Sequence, residues 1–313
     1  MKEVCLNLSE CPALGDLICA TPTIRKLSEA YEQKITVVSP MPELFKNLPY
    51  VKASYKSSSI DWDYFNQHFI MHNSFTNVGK KNERGVEMKH NVMDIRQYHA
   101  VQLGFMLTPY ELFCDYVPIE EPTIEIDQPY VVIHPVSTWA NRTWAPEKWM
   151  ELTKQLNDKG IYVVSVGKDS SETGFFNVDK PVFNFNIPHG MNLMNKTSIS
   201  QCYHILKNAH CFVTMDSGLL HLAGTHPGTP IVHLGSAIDP KFRAPYRYSM
   251  QNYNYFYVQG ACELNCCSDM KYGVKEWGDV QGIQPLIGCL EKYDTYECHP
   301  DVENVYDIVR QYI

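Results

Sequence analysis

The chain has 313 residues, of which 44% are hydrophobic and 20% charged, with a formal net charge of −8. This is the profile of an ordinary globular protein long enough for two domains, and its acidic balance gives no broad electrostatic footprint for nucleic acid or an anionic membrane. No apolar run is long enough for a membrane span or for the core of a secretion signal, so a cytoplasmic protein that is not integral to a membrane is expected.

The pattern in the first half is strand, turn, helix, strand. Residues 2–8 read as a buried strand and 9–16 as a turn-rich loop. Residues 17–31 read as one amphipathic helix with Ile18, Ile24 and Leu27 on one face, and 34–39 as a second strand. A strand–helix–strand order implies a parallel sheet covered by helices. Residues 69–71 are a further candidate strand and 55–59 only a loop. Residues 91–107 have helical spacing, with Ile95, Tyr98, Val101 and Leu103 toward the core. Residues 108–129 carry Pro109, Pro118, Pro122 and Pro129, which marks them as the linker. The domains are therefore placed at 1–125 and 126–313.

The second half repeats the alternation. Strands are expected at 130–134, 161–166, 211–215 and 230–234. Helices are expected at 146–159, with Pro146 in its first turn and Gly160 just past its end, and at 198–208, from 217 and over 302–313. The fold class is α/β, two Rossmann-like domains facing across a cleft.

In such sheets ligands bind at the carboxyl ends of strands, and three loops there have the right chemistry. In the first, Gly15 permits close backbone approach, and Asp16 serves either as a helix N-cap or as a carboxylate that takes a proton from an attacking hydroxyl. The second, 134–144, offers Arg142 to neutralise a phosphate and Ser137, Thr138 and Thr143 as hydrogen-bond donors. In the third, Asp216, Ser217 and Gly218 open a helix whose free N–H groups suit a diphosphate, and His221 follows one turn later. No dinucleotide fingerprint, Walker A loop or serine nucleophile elbow is present.

Taken in order, these loops resemble glycosyltransferase family 9, the ADP-heptose:lipopolysaccharide heptosyltransferases. The matching residues are Gly15-Asp16-Leu17 with Thr21-Pro22 and Leu27; Asn47 to Val51; Leu103-Gly104; His134-Pro135 with Trp144 to Glu147; Asp216-Ser217-Gly218 with His221-Leu222-Ala223; then Pro230 and Asp239-Pro240. The resemblance covers nearly the whole chain. It implies a GT-B fold and an inverting transfer from a nucleoside-diphosphate sugar without a catalytic metal. It places Asp16 as general base and Arg142 near the basic donor-phosphate residue. Asp216, Ser217, Gly218 and His221 fall on the donor-binding loop. The sequence departs from the family at Val136, where glycine is usual, and between Pro49 and Asn91, where nothing aligns. The sugar, a heptose in the best-known members, and the acceptor hydroxyl, on a glycan, a lipid-linked glycan or a protein, are therefore left open. So are three other readings: a transferase acting on modified, phage-type DNA, an epimerase or hydrolase of nucleotide sugars, and a non-catalytic sugar-nucleotide-binding protein.

The chain has eleven cysteines. Cys5, Cys11, Cys19, Cys114, Cys202 and Cys211 sit in apolar context and read as reduced packing residues. Cys262, Cys266, Cys267, Cys289 and Cys298 cluster near the end. Four thiolates can hold zinc or iron, although the spacing is not that of paired CxxC motifs; free thiols are the alternative, and a reducing compartment disfavours disulfides. Some members of the family, the bacterial autotransporter heptosyltransferases, carry a C-terminal cysteine cluster that binds iron. The resemblance thus implies a structural iron or zinc on Cys262, Cys266, Cys289 and Cys298.

Overall fold

The structure, a computed structural model, describes residues 3–65, 67–71, 93–136, 142–168, 186–236, 238–246, 254–263 and 297–313. The chain divides into two compact units, Met1–Glu121 with Pro245–Asn252, and Pro122–Ala244 with Tyr253–Ile313.

The N-terminal unit holds a parallel sheet of β1 (Val4–Asn7), β2 (Ile35–Val38), β3 (Val51–Tyr55) and β4 (Gln67–Ile70), in the order β3-β2-β1-β4. The two inner strands are apolar and almost wholly buried, whereas β3 and β4 at the edges are half exposed. That contrast follows from a parallel sheet covered on both faces. Helices α1 (Leu14–Cys19), α2 (Thr21–Ala30) and α3 (Ile95–Gln102) complete the unit. The single helix expected over 17–31 is two helices. Pro22 has no N–H to give the Ile18 carbonyl, and the Thr21 hydroxyl donates to that carbonyl instead, at 2.7 Å. On α2, Arg25 gathers the proline-rich stretch. It pairs with Asp115, donates to the Glu111 and Phe113 carbonyls at 2.8 and 3.1 Å, and lies 3.7 Å from the centre of the Phe113 ring.

The C-terminal unit is a six-stranded parallel sheet. Its strands are β5 (Tyr130–His134), β6 (Tyr162–Ser165), β7 (Gly190–Asn192), β8 (Cys211–Thr214), β9 (Ile231–Leu234) and β10 (Tyr255–Val258). Their order is β10-β9-β8-β5-β6-β7. Counted within the unit this is 3-2-1-4-5-6 read from β7, the doubly wound order of dinucleotide-binding domains. The helices are α4 (Pro146–Asp158), α5 (Ile199–Lys207), α6 (Gly218–Gly224) and α7 (Val302–Val309). Gly160, with φ of 77°, ends α4 as expected. The α7 helix buries Val302, Val305 and Val309 in the core of this unit, against α4, β9 and β10. No helix among the described residues is long and apolar enough to cross a membrane.

Two fully buried tryptophans hold the start of α4. Trp144 and Trp149 meet edge to face with centroids 4.9 Å apart, and Trp144 Nε1 donates to the Pro300 carbonyl at 2.9 Å. Lys148 Nζ donates to the same oxygen at 3.0 Å. Truncating Trp144 to alanine is expected to destabilise this unit by about 3–5 kcal/mol. Trp144→Phe, which keeps one ring and loses the indole N–H together with the second ring, is expected to cost about 2–3 kcal/mol. Urea unfolding followed by far-UV circular dichroism reads both. Equal losses would mean that the ring kept by phenylalanine contributes nothing and that the cost lies in the hydrogen bond to Pro300 and the lost second ring.

Candidate functional site

Ligands of doubly wound sheets gather where the strand order reverses. In the C-terminal unit that point lies between β5 and β8. His134 and Thr214 are in register there at the two strand ends, with His134 Nδ1 3.3 Å from Thr214 Oγ1. Burial pulls His134 down to about 4, so the ring is neutral near pH 7. Gly167, just past β6, has φ of 139°, and a Cβ on it would fall 2.7 Å from His134 Cδ2 and 3.0 Å from Val136 Cγ2. Only glycine fits. The branched Val136 is therefore accommodated because the facing residue has no side chain.

Two residues past β8 lies Asp216, with 2% of its surface exposed. Its carboxylate takes a hydrogen bond from Arg142 Nη1 at 3.0 Å, and Arg243 Nε lies 3.9 Å from the same oxygen. Burial by itself would raise its pKa, but Arg142, then Arg243, and then His221 and His233 outweigh it and hold the group at about 2. Ser217 serves as N-cap of α6, its hydroxyl accepting from Leu220 N at 3.3 Å; it also lies 3.2 Å from Thr214 Oγ1. Gly218 is the first residue of α6, and His221 on the same helix is buried. Thr143 is half-buried beside Arg142. The structure thus gathers Arg142, Asp216, Ser217, Gly218 and His221 about one strand end. Ser137 and Thr138 lie outside the described residues. Arg243 was not singled out by the sequence, because it follows a Pro-Lys-Phe turn with no motif of its own.

The N-terminal unit places Asp16 in the first turn of α1, on the loop after β1. It is the third residue of that helix. Ala13 stands at the N-cap with no side-chain bond, so Asp16 is not the cap. Gly15 sits inside the helix, and the positive-φ glycines are Gly104, Gly160 and Gly167. The backbone at Gly15 is thus ordinary α-helix. Asp16 is 8% exposed, and its Oδ1 lies 4.0 Å from Nε2 of the fully buried His99 on α3. Burial foremost, with the negative charge of Asp16 adding to it, pushes the neighbouring Cys11 thiol and Tyr98 phenol up. Both stay neutral beside the carboxylate.

Asp216 sets a testable acid dependence. Its folded pKa lies below its ordinary 3.8, so its contribution is complete above that value and is lost as pH falls through about 2. Asp216→Asn leaves two guanidiniums without their carboxylate and is expected to cost the unit about 3 kcal/mol at pH 7. The gap between variant and wild type should narrow between roughly pH 4 and pH 2 in denaturant titrations. A gap independent of pH would remove the ion cluster as its cause.

Comparison with known proteins gives a consistent family. A sequence profile described as glycosyltransferase family 9 (heptosyltransferase) matches residues 32–271. No curated protein matches. Among solved structures, the iron-containing dodecameric glycosyltransferase TibC of enterotoxigenic E. coli H10407 aligns with 99% of this chain and 76% of its own, at 15% identity and a TM-score of 0.69. TibC in complex with ADP-D-beta-D-heptose aligns with a TM-score of 0.72. E. coli ADP-heptose LPS heptosyltransferase II matches 89% of this chain and 98% of its own, at 17% identity and a TM-score of 0.59. A family 9 glycosyl transferase from Veillonella parvula DSM 2008 matches 99% and 97%, at 13% identity and a TM-score of 0.60. With the profile spanning most of the sequence and the GT-B heptosyltransferases sharing its fold, this chain belongs to glycosyltransferase family 9 and is a nucleotide-sugar glycosyltransferase.

Proposed function

We propose that the protein transfers a heptose from ADP-heptose to an acceptor hydroxyl with inversion and without a catalytic metal. The C-terminal unit takes the donor and the N-terminal unit the acceptor. The observation that carries this reading is the buried Asp216 carboxylate with Arg142 and Arg243 on it. Two guanidiniums meet on one carboxylate in a water-poor site, where positive charge acts strongly on an anion. A departing nucleoside diphosphate needs that charge. The heptose donor is suggested by the ADP-D-beta-D-heptose bound to TibC, a protein of the same fold.

In this reading Asp16 accepts the proton of the acceptor hydroxyl. The hydroxyl oxygen forms a bond to the anomeric carbon as the bond from that carbon to the diphosphate breaks. Asp16 suits the task because it is a carboxylate in a largely buried turn whose neighbours Cys11 and Tyr98 stay neutral. Arg142 and Arg243 receive the charge that develops on the leaving oxygen. The acceptor is a glycan, a lipid-linked glycan or a protein side chain.

A structural iron or zinc belongs to the same reading. Cys262 and Cys298 are buried, and backbone hydrogen bonds bind their segments together: Gly260 N to Cys298 O at 3.0 Å and Cys262 N to Glu297 O at 3.2 Å. Two reduced thiols on adjoining segments fit half of a four-thiolate set. Cys266, Cys267 and Cys289 lie outside the described residues, and no group of three or more metal-ligating side chains occurs among those described. The metal would hold the C-terminal stretch and take no part in transfer.

Two measurements test these readings. Among a panel of nucleotide sugars, ADP-heptose is expected to raise the melting temperature of both wild type and Asp16→Asn. Only wild type should release ADP, with the variant slower by about 100-fold or more, and added Mg²⁺ or Mn²⁺ should not raise the rate. If no nucleotide sugar shifts either protein, the donor site has been misplaced. Elemental analysis of protein purified without chelators should find about one iron or zinc per chain and far less in Cys298→Ser. A metal-free, fully folded wild type would remove the metal.

A further inference from the structure

His233 is the third residue of β9, in register with Thr214 of β8 on one side and Tyr257 of β10 on the other. With His134 it completes a row of four residues across the carboxyl end of the sheet. The other residues of its strand, Ile231, Val232 and Leu234, are aliphatic and buried, so packing alone would be served by another such side chain. The imidazole is 1% exposed and lies against Tyr255 and Tyr257, with centroids 5.9 and 5.3 Å away. Its Nδ1 is 2.6 Å from the Tyr255 hydroxyl, while Nε2 is buried and makes no hydrogen bond among the described residues. A buried polar atom without a partner is costly, and native structures rarely leave one without a role. His233 is in register with Thr214, two residues before Asp216, and the two groups are close enough to interact electrostatically.

Burial pulls His233 down to about 4, and the opposing pull of Asp216 does not reverse this. The ring is therefore neutral near pH 7, with a proton on one nitrogen only. In the tautomer where the Tyr255 hydroxyl donates to Nδ1, that proton sits on Nε2.

We propose that His233 is a donor-binding residue whose Nε2–H donates a hydrogen bond to an anionic oxygen of the nucleotide sugar's diphosphate, with the Tyr255 hydroxyl fixing the tautomer. The proposal rests on the donor-site reading of Arg142 and Asp216 and adds a neutral donor to their charges. A neutral N–H here can ligate the diphosphate without adding to the cost of burying a third cation.

Isothermal titration with whichever of ADP, UDP and GDP wild type binds most tightly, and with the corresponding nucleoside, tests it. His233→Leu is expected to melt at or above the wild-type temperature, because it removes an unsatisfied buried atom. Its affinity for the diphosphate should fall roughly tenfold or more, with the nucleoside unaffected. His233→Gln, whose amide nitrogen can reach the position of Nε2, should bind within about threefold of wild type. Tyr255→Phe, which frees the tautomer and leaves the ring in place, should weaken diphosphate binding several-fold, and it decides the matter if the leucine variant does not fold. Diphosphate affinity that is unchanged in His233→Leu, or in Tyr255→Phe when the leucine variant is lost, overturns the proposal. Arg142→Ala separates the two levels. If it weakens the diphosphate and His233→Leu does not, only the role of His233 falls; if neither does, or if wild type binds none of the three nucleotides, the donor-site reading falls with it.

Discussion

The buried carboxylate of Asp216 is the interaction on which the arrangement of the C-terminal unit's strand-end loops depends. Desolvation alone would drive such a group toward its neutral form. Arg142 and Arg243 reverse that outcome, and the charge persists to about pH 2. Each partner comes from a different strand end: Arg142 from the loop after β5, Asp216 from the loop after β8, and Arg243 from the turn after β9. One ion cluster therefore ties three adjacent connections at the point where the strand order reverses. It also holds both guanidiniums on a single carboxylate oxygen.

Packing supports the charge cluster from below. Gly167 leaves room for the His134 ring and for Val136, so the loop that leads to Arg142 can depart from β5 with a branched residue at its base. A glycine at position 136 would leave that space empty and the backbone freer. The absence of a side chain at Gly167 is what gives Val136 its room. A residue that departs from the family pattern is thus consistent with an unchanged site.

Much of this architecture was legible in the sequence, and what escaped has a physical reason. The continuous apolar runs of β1, β2, β5, β8 and β9 are inner strands buried on both faces, and periodicity finds such segments easily. The strands β3, β7 and β10 were missed because edge strands need only half a buried face; β7 is three residues long and starts with glycine. The long N-terminal helix was misjudged because its hydrophobic face continues across Pro22 while its hydrogen-bond ladder does not. Among site residues, Arg142, Asp216 and His221 stood in recognisable loops. Arg243 and His233 did not, since a lone arginine after a turn and a lone histidine in a strand gain meaning only when strand order puts them beside Asp216.

The C-terminal stretch links the cysteines to the same cluster. Pro300, two residues past Cys298, receives hydrogen bonds from Trp144 and Lys148, and Trp144 is two residues past Arg142. Glycines allow this segment to lie close to the strand ends: a Cβ at Gly235 would fall 2.8 Å from Cys298 O, and one at Gly260 only 2.1 Å from Glu297 O. The segment is therefore clamped on one side by the backbone past β9 and β10 and on the other by the indole that anchors the arginine's loop. Order imposed at Cys298 is passed through two residues and one hydrogen bond to the base of the loop that carries Arg142. A cysteine-bound metal in that stretch would need no contact with substrate to matter, because the position of Arg142 depends on the segment it would hold.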